Sequence, residues 1–236
     1  MGRRDTKNLI LDASETLFSK RSYVDVTFRQ IADLANAHVS QITYHFQSKE
    51  NLLRQVVIRR ATDLNKERMS LLKTYRRVVG KNGMTIEPLV RAFFDPYFDR
   101  LINDEDRTWG NYGALIGRIV WDPTVLPTLN EAYNEVATEY LEAFSLAAPE
   151  ISEEHIHRSF QFLLSTMYSA GADNRRIDNL SGGKFSSRDY DRIYDIIIPF
   201  VSAGFKALAN RDAFAPPIEL EEGMEVDHSA NNLKHD

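Results

Sequence analysis

The sequence predicts an all-α protein, with an N-terminal three-helix helix-turn-helix unit and a larger C-terminal helical body. Three observations carry this reading. Apolar residues recur at three- and four-residue spacing through most of the 236 residues. Capping residues (Thr27, Ser48, Asp122 and Ser152) stand where apolar-periodic segments begin. No segment shows the alternation of a half-buried strand.

The elements follow in order. Leu9, Ile10, Ala13, Leu17 and Phe18 make one apolar stripe on a first helix. Thr27-x-x-Gln30 has the spacing of a capping box and opens a short helix through Ala35. A third helix is predicted from about Val39 to Phe46, with Ile42 and Phe46 one turn apart on its buried side. Ser48 caps a long fourth helix over about 49–78. Its Leu52/Val56 and Leu53/Val57 pairs give way to a basic stretch including Arg59, Arg60, Lys66, Arg68, Arg76 and Arg77. Gly80 and Lys81-Asn82-Gly83 break the pattern.

Beyond the break, 85–103 reads as an aromatic-rich helix that interior Pro96 should kink or interrupt. Asp122-Pro123 marks a helix start, and Ser152 with Glu153 and Glu154 opens another through about Ala172. Residues 174–188 read as a loop, and Asp189 to about Asn210 as the last helix. The expected division is therefore 1–48 for the helix-turn-helix unit, 49–80 for a connecting helix, 81–210 for the body, and 211–236 for an acidic tail without periodicity, read as disordered.

Composition excludes several classes. The chain has no cysteine, which removes disulfides, zinc thiolates and thiol catalysis. No apolar run is long enough to span a membrane, and the N-terminus lacks the pattern of a secretory signal, so a cytoplasmic location is expected. Net charge is −5, but residues 1–81 carry a balance of +8 and residues 82–236 one of −13. A basic first third on an acidic remainder points to a segment that meets a polyanion. Enzyme chemistry finds little support, and neither a cofactor nor a metal is expected. His155 and His157 are two apart on a helix and point in different directions. Ser181-Gly182-Gly183-Lys184 lacks P-loop spacing. Glu131, Glu135 and Glu139 form a row better explained as a solvated face than as paired acid and base.

The short third helix suits double-stranded DNA. With Ile42 and Phe46 buried, it turns Val39, Ser40, Gln41, Thr43 and His45 outward, and Gln, Ser and Thr are base-edge readers. Ser48-Lys49 places a cation and free backbone N–H groups where a phosphate docks. Arg3 and Arg4 precede the first helix as an arm suited to a minor groove.

These residues resemble the DNA-binding domain of TetR-type one-component transcriptional regulators. The resemblance covers residues 9–53. It rests on the spacing of Ile10, Ala13, Leu17 and Phe18, on Tyr23, Thr27 and Ile31-Ala32, and on Tyr44-His45-Phe46-x-Ser48-Lys49-Glu50 followed by Leu52-Leu53. It implies that Thr27, Arg29, Val39, Ser40, Gln41, Thr43, His45 and Lys49 fall at DNA and Tyr44 at its backbone. The departures are Ser22 and Asn36 for the usual glycines, Thr43 for tyrosine, and His38 as a poorer cap.

For the body, the resemblance implies a homodimer built mainly by the last two long helices, a palindromic operator, and a cavity for a small hydrophobic effector. Phe94, Phe98, Trp109, Tyr112, Trp121 and Tyr133 are the candidate lining residues, with Arg91 and Arg118 as counterions for an acidic ligand. Ile198-Pro199-Phe200-Val201-Ser202-Ala203-Gly204-Phe205 is similar to the fatty-acid-responsive subgroup, implying a fatty acid or acyl-CoA. The alternative is a protein of the same fold that acts without an effector, in chromosome organisation or through a protein partner; a fully packed body would favour it.

Overall fold

The computed structural model describes residues 3–105 and 107–209, without the side chains of 3–5 and 81. The expectation for 211–236 lies outside the described residues. Among those described, all regular structure is helical. The helices are α1 (Arg3–Lys20), α2 (Phe28–Ala35), α3 (Val39–Phe46), α4 (Lys49–Val79), α5 (Ile86–Ile102), α6 (Thr108–Ile119), α7 (Leu126–Ala147), α8 (Glu153–Gly171), α9 (Arg176–Leu180) and α10 (Tyr190–Ala209).

Local chemistry sets these boundaries. The Thr27 hydroxyl accepts from Gln30 N–H, and Gln30 Oε1 accepts from Thr27 N–H, a complete capping box on α2. Asn36 ends α2 in the left-handed conformation, φ 48°, which asparagine tolerates better than most side chains. Ala37 N–H then closes back on the Ala32 carbonyl at 2.9 Å. Ser48 and Ser152 cap α4 and α8, accepting from Asn51 and His155 N–H. Asp122 accepts from Thr124 N–H and starts a single 3-10 turn that runs into α7.

Several expectations change. Pro96 does not interrupt α5, which runs unbroken from Ile86 to Ile102 around it. The 174–188 loop contains the short helix α9. α6 has no clear sequence signature, because its buried positions include Gly110 and Gly113 beside Tyr112, Leu115, Ile116 and Ile119. The first helix begins at Arg3, so Arg3 and Arg4 continue its backbone instead of forming an arm ahead of it.

Two hydrophobic clusters result. One joins α1–α3 and the first two turns of α4, from Ile10 and Phe18 through Ile42 and Phe46 to Val57. It is completed by Tyr112, Leu115, Ile116 and Ile119 of α6. The other surrounds α5, whose Phe93, Phe94, Tyr97 and Phe98 are buried among α4, α7, α8 and α10. α4 and α6 therefore belong to both halves. α6 crosses α8 closely: a Cβ on Gly113 would lie 2.8 Å from the Gly171 carbonyl oxygen, a contact only glycine permits.

Candidate DNA interface and effector cavity

α3 buries the two residues expected inside and turns most of the expected outward residues to solvent. Ile42 and Phe46 are fully buried, while Val39, Ser40, Thr43 and Tyr44 are exposed. Gln41 and His45 are half-buried, and the His45 ring packs edge-on against Tyr44. Arg29 is exposed in the first turn of α2, beside the exposed cap Thr27. Thr27, Arg29, Val39, Ser40, Thr43 and Tyr44 are thus all open to solvent on α3 and the start of α2.

Two of the expected readers are committed elsewhere. Gln41 Oε1 accepts from His38 N–H at 2.8 Å, so the glutamine supplies the cap that the His38 ring supplies poorly. A bidentate contact to adenine needs that same oxygen. Lys49 is not an open cation: its ammonium donates to the carbonyls of Tyr23, Val24 and Val26 at 2.8, 3.2 and 3.0 Å and lies 4.6 Å from the Tyr23 ring centroid. All three of its N–H donors are accounted for. Lys49 ties the start of α4 to the turn that feeds α2.

The basic stretch of α4 is also largely neutralised within the protein. Arg59 pairs with Asp12 and Glu15, Arg60 with Glu15, and Arg76 with Glu139 and Glu142. Arg54 pairs with Glu131. The Glu131 and Glu139 row of α7, expected to be solvated, instead meets α4.

In the body, a largely enclosed cavity of about 40 Å³ lies among α4, α5, α6, α7 and α8. Of the expected lining residues, Tyr112 and Tyr133 reach it, and their hydroxyls hydrogen-bond each other. The rest are elsewhere. Phe94 and Phe98 are core residues on the faces of α5 turned from the cavity, which Phe93 and Tyr97 line instead. Trp109 is held between the guanidinium groups of Arg60 and Arg100, at 4.9 and 5.0 Å. Trp121 is 70% exposed. Neither expected counterion lines this cavity. Arg91 is exposed and bonded to Glu87 and Tyr194, and Arg118 is exposed with Nε donating to the Ser19 carbonyl at the end of α1.

The cation that does line the cavity is Arg68, 1% exposed. Its signal in the sequence is register: Leu64, Arg68 and Leu72 follow at i, i+4 and i+8 on the buried face of α4. Its place among Arg59, Arg60, Lys66, Arg76 and Arg77 masks that register. Tyr97 and Tyr168 also line the cavity. Burial raises both, Tyr97 far above the usual phenol range and Tyr168 to about 12, so both hydroxyls stay protonated near neutral pH.

A helix-turn-helix reader joined by one long helix to an all-helical body defines a class of DNA-binding regulator. The comparisons agree at both ends. The family description "Bacterial regulatory proteins, tetR family" matches residues 10–56, and "Tetracyclin repressor-like, C-terminal domain" matches residues 91–204. The chain belongs to the TetR family of transcriptional regulators, which are DNA-binding proteins and not enzymes. It is 25% identical over 174 residues to the HTH-type transcriptional repressor KstR2 of Rhodococcus jostii, covering 72% of this chain and 79% of that one. Its fold is similar to FadR of Bacillus subtilis, solved in complex with stearoyl-CoA: TM-score 0.55, 13% identity, 84% of this chain and 98% of that one. FadR of Bacillus halodurans, a fatty acid degradation regulator, gives a TM-score of 0.52 at 15% identity, over 82% of this chain and 94% of that one. Among the described residues, no helix is long and apolar enough to cross a membrane.

Proposed function

We propose that this chain is a homodimeric repressor that binds a palindromic operator through α3 and is released by a small hydrophobic effector held in the body. Thr27, Arg29, Val39, Ser40, Thr43, Tyr44 and His45 are its DNA contacts. Lys49 and Gln41 shape the reader from within. The observation that carries the reading is the exposed, polar, one-sided α3, set on a rigid turn and linked by α4 to the cavity wall.

The second copy is assigned to the outer face of α8 and α10. Phe162 and Phe200 are 64% and 68% exposed there, flanking an apolar groove floored by Leu163, Val201 and Phe205. Gly204 opens onto this groove with nothing within 4 Å of where a Cβ would be. Small residues between large apolar ones allow two such faces to approach closely about a two-fold axis.

Release works as a population shift. Two recognition helices must stand roughly 34–36 Å apart to enter successive major grooves. An effector preferring a dimer of different spacing removes the DNA-competent state by its differential affinity alone. Leu64 and Arg68 of α4 and Tyr112 and Ile116 of α6 line the cavity, and the same two helices pack into the reader's cluster.

One observation favours the effector-free alternative: a cavity of about 40 Å³ is only head-group-sized. Against it stands a charged side chain at the cavity wall, which a merely packed core has no reason to hold. The test selects and sequences genomic fragments bound by the purified protein, then titrates the recovered site. Enriched inverted repeats bound by a dimer, with affinity lowered by an organic ligand that raises Tm, are expected. Absence of any enriched fragment at low salt overturns the DNA reading. Enrichment with no ligand response in a broad metabolite screen favours the alternative.

A further inference from the structure

Arg68 is the largest of the fully buried side chains. Nε donates to the Phe93 carbonyl at 2.9 Å, Nη2 points at Met167 Sδ at 3.2 Å, and the guanidinium lies 3.9 Å from the Phe93 ring centroid. None of these partners carries charge. Among the described residues, Arg68 forms no ion pair, and three carboxylates of α4, α5 and α7 are engaged with other groups: Glu67 with Arg100, Asp95 with Tyr194, and Glu139 with Arg76. The other residues lining the cavity are apolar or tyrosine, and none carries a charge. A guanidinium stays protonated in proteins. The fold therefore keeps a positive charge in an apolar enclosure without its counter-charge, an arrangement unfavourable for stability and suited to capturing an anion.

We propose that the cavity is a site for a free carboxylic acid with an apolar body, its carboxylate supplying the missing charge on the Arg68 fork. This rests on the effector reading above and narrows it. A carboxylate matches a guanidinium in bidentate geometry, and Tyr97 and Tyr168 line the same cavity. An alcohol, amide or thioester brings no charge and leaves Arg68 unpaired. A coenzyme A thioester also carries a bulky polyanionic head that an enclosed apolar cavity does not admit. The volume available, about 40 Å³, fits a carboxylate with little more. The apolar body of the acid must therefore displace wall residues. Tyr112 and Ile116 of α6 are such residues, and the same two side chains belong to the cluster that packs α6 against α1. Occupancy of the charge site thereby shifts α6 against the reader.

The experiment compares sodium decanoate, biphenyl-4-carboxylate, 1-decanol and decanoyl-coenzyme A on the full chain. Binding is followed by calorimetry, Tm by thermal unfolding, and release from the recovered operator by mobility shift. Arg68→Met and Arg68→Lys are run beside the natural protein. At least one acid is expected to bind at least tenfold more tightly than 1-decanol or the thioester and to release DNA. Arg68→Met is expected to abolish that preference while its unliganded Tm equals or exceeds that of the natural protein, since a fitted apolar side chain removes an unpaired buried charge. Arg68→Lys is expected to retain part of the preference.

An Arg68→Met protein with a sharply lowered Tm and an intact acid preference would make Arg68 structural and overturn the proposal. Should Arg68→Met fail to fold, the acid-to-alcohol ratio in the natural protein and in Arg68→Lys still decides. If 1-decanol or the thioester binds and releases DNA as well as the acids do, the proposal fails and the effector reading stands. If every probe leaves Tm and operator affinity unmoved, both fail.

Discussion

Glu15 of α1 and Arg60 of α4 are joined by two hydrogen bonds, 2.9 and 2.7 Å, with Glu15 only 2% exposed and Arg59 adding a third contact at 3.2 Å. Arg60 in turn stacks on Trp109 of α6. The reader is thereby locked to the connecting helix by a carboxylate that has left water almost completely. Glu15→Gln removes the charge and leaves two arginines facing a neutral amide. Breaking such a pair on one side is expected to lower unfolding free energy by about 3 kcal/mol, measured by urea denaturation. Arg60→Met combined with Glu15→Met is expected to recover much of the loss. A Glu15→Gln protein as stable as the natural one would show that the pair contributes nothing.

Arg29 and Lys49 separate phosphate contact from internal support. Arg29→Ala is expected to weaken operator and random DNA alike and to reduce the salt slope of log K by about one. Lys49→Met is expected to leave that slope unchanged, because its ammonium is spent on three carbonyls. Its effect falls on stability and on the turn at residues 23–26. Binding isotherms between 50 and 200 mM salt, a range over which phosphate contacts dominate, distinguish the two.

Thr43 and Gln41 make a second contrast. Thr43 is exposed on α3, its hydroxyl donating to the Val39 carbonyl at 3.2 Å and keeping acceptor capacity outward. Thr43→Ala is expected to relax base discrimination by roughly 1–3 kcal/mol at one position. Gln41→Ala is expected to lower stability by about 1 kcal/mol as a lost cap and to reduce specific and non-specific affinity together. Competition against singly substituted operators reads both. A position-specific loss confined to Gln41→Ala would reverse the assignment.

The pH dependence of the 173–188 segment follows from Asp173. Burial alone would push this carboxyl up. Arg188, at 2.9 and 2.7 Å, with the Ser187 hydroxyl and Arg107, instead holds it below the usual carboxylate range. A carboxyl depressed on folding adds stability above its unfolded pKa, about 3.9, and that stability is lost as pH falls through the folded value. Asp173→Asn is expected to be less stable than the natural protein at pH 6, with the two converging below about pH 4. Denaturation series at both ends of this range measure it.

The reader was legible in the sequence because its signals are local. A capping box, a left-handed asparagine and two buried residues one turn apart each act within a few positions, and α2 and α3 begin where Thr27 and His38 place them. What lay hidden depends on distant partners. Nothing near Lys49 in sequence announces that the carbonyls of Tyr23, Val24 and Val26 turn toward it. Gln41 looks like a base reader until His38 N–H is seen to need an acceptor. Aromatics beyond residue 90 signal burial without saying which face of α5 meets the cavity, which Phe93 and Tyr97 line and Phe94 and Phe98 do not. Arg68 was visible only as a positive charge in an apolar register, a signal that outweighs its membership of a basic run.

The placement of the two tryptophans gives the protein a built-in optical gauge. Trp121 looks into solvent, whereas Trp109 is wedged between Arg60 and Arg100 on the helix that both halves share. A Trp121→Phe protein would hold one fluorophore, seated at the joint itself. Any tilt of α6 that carries Trp109 off those cations must change its emission, so the opening of the joint can be timed in a stopped-flow mixer without attaching a dye.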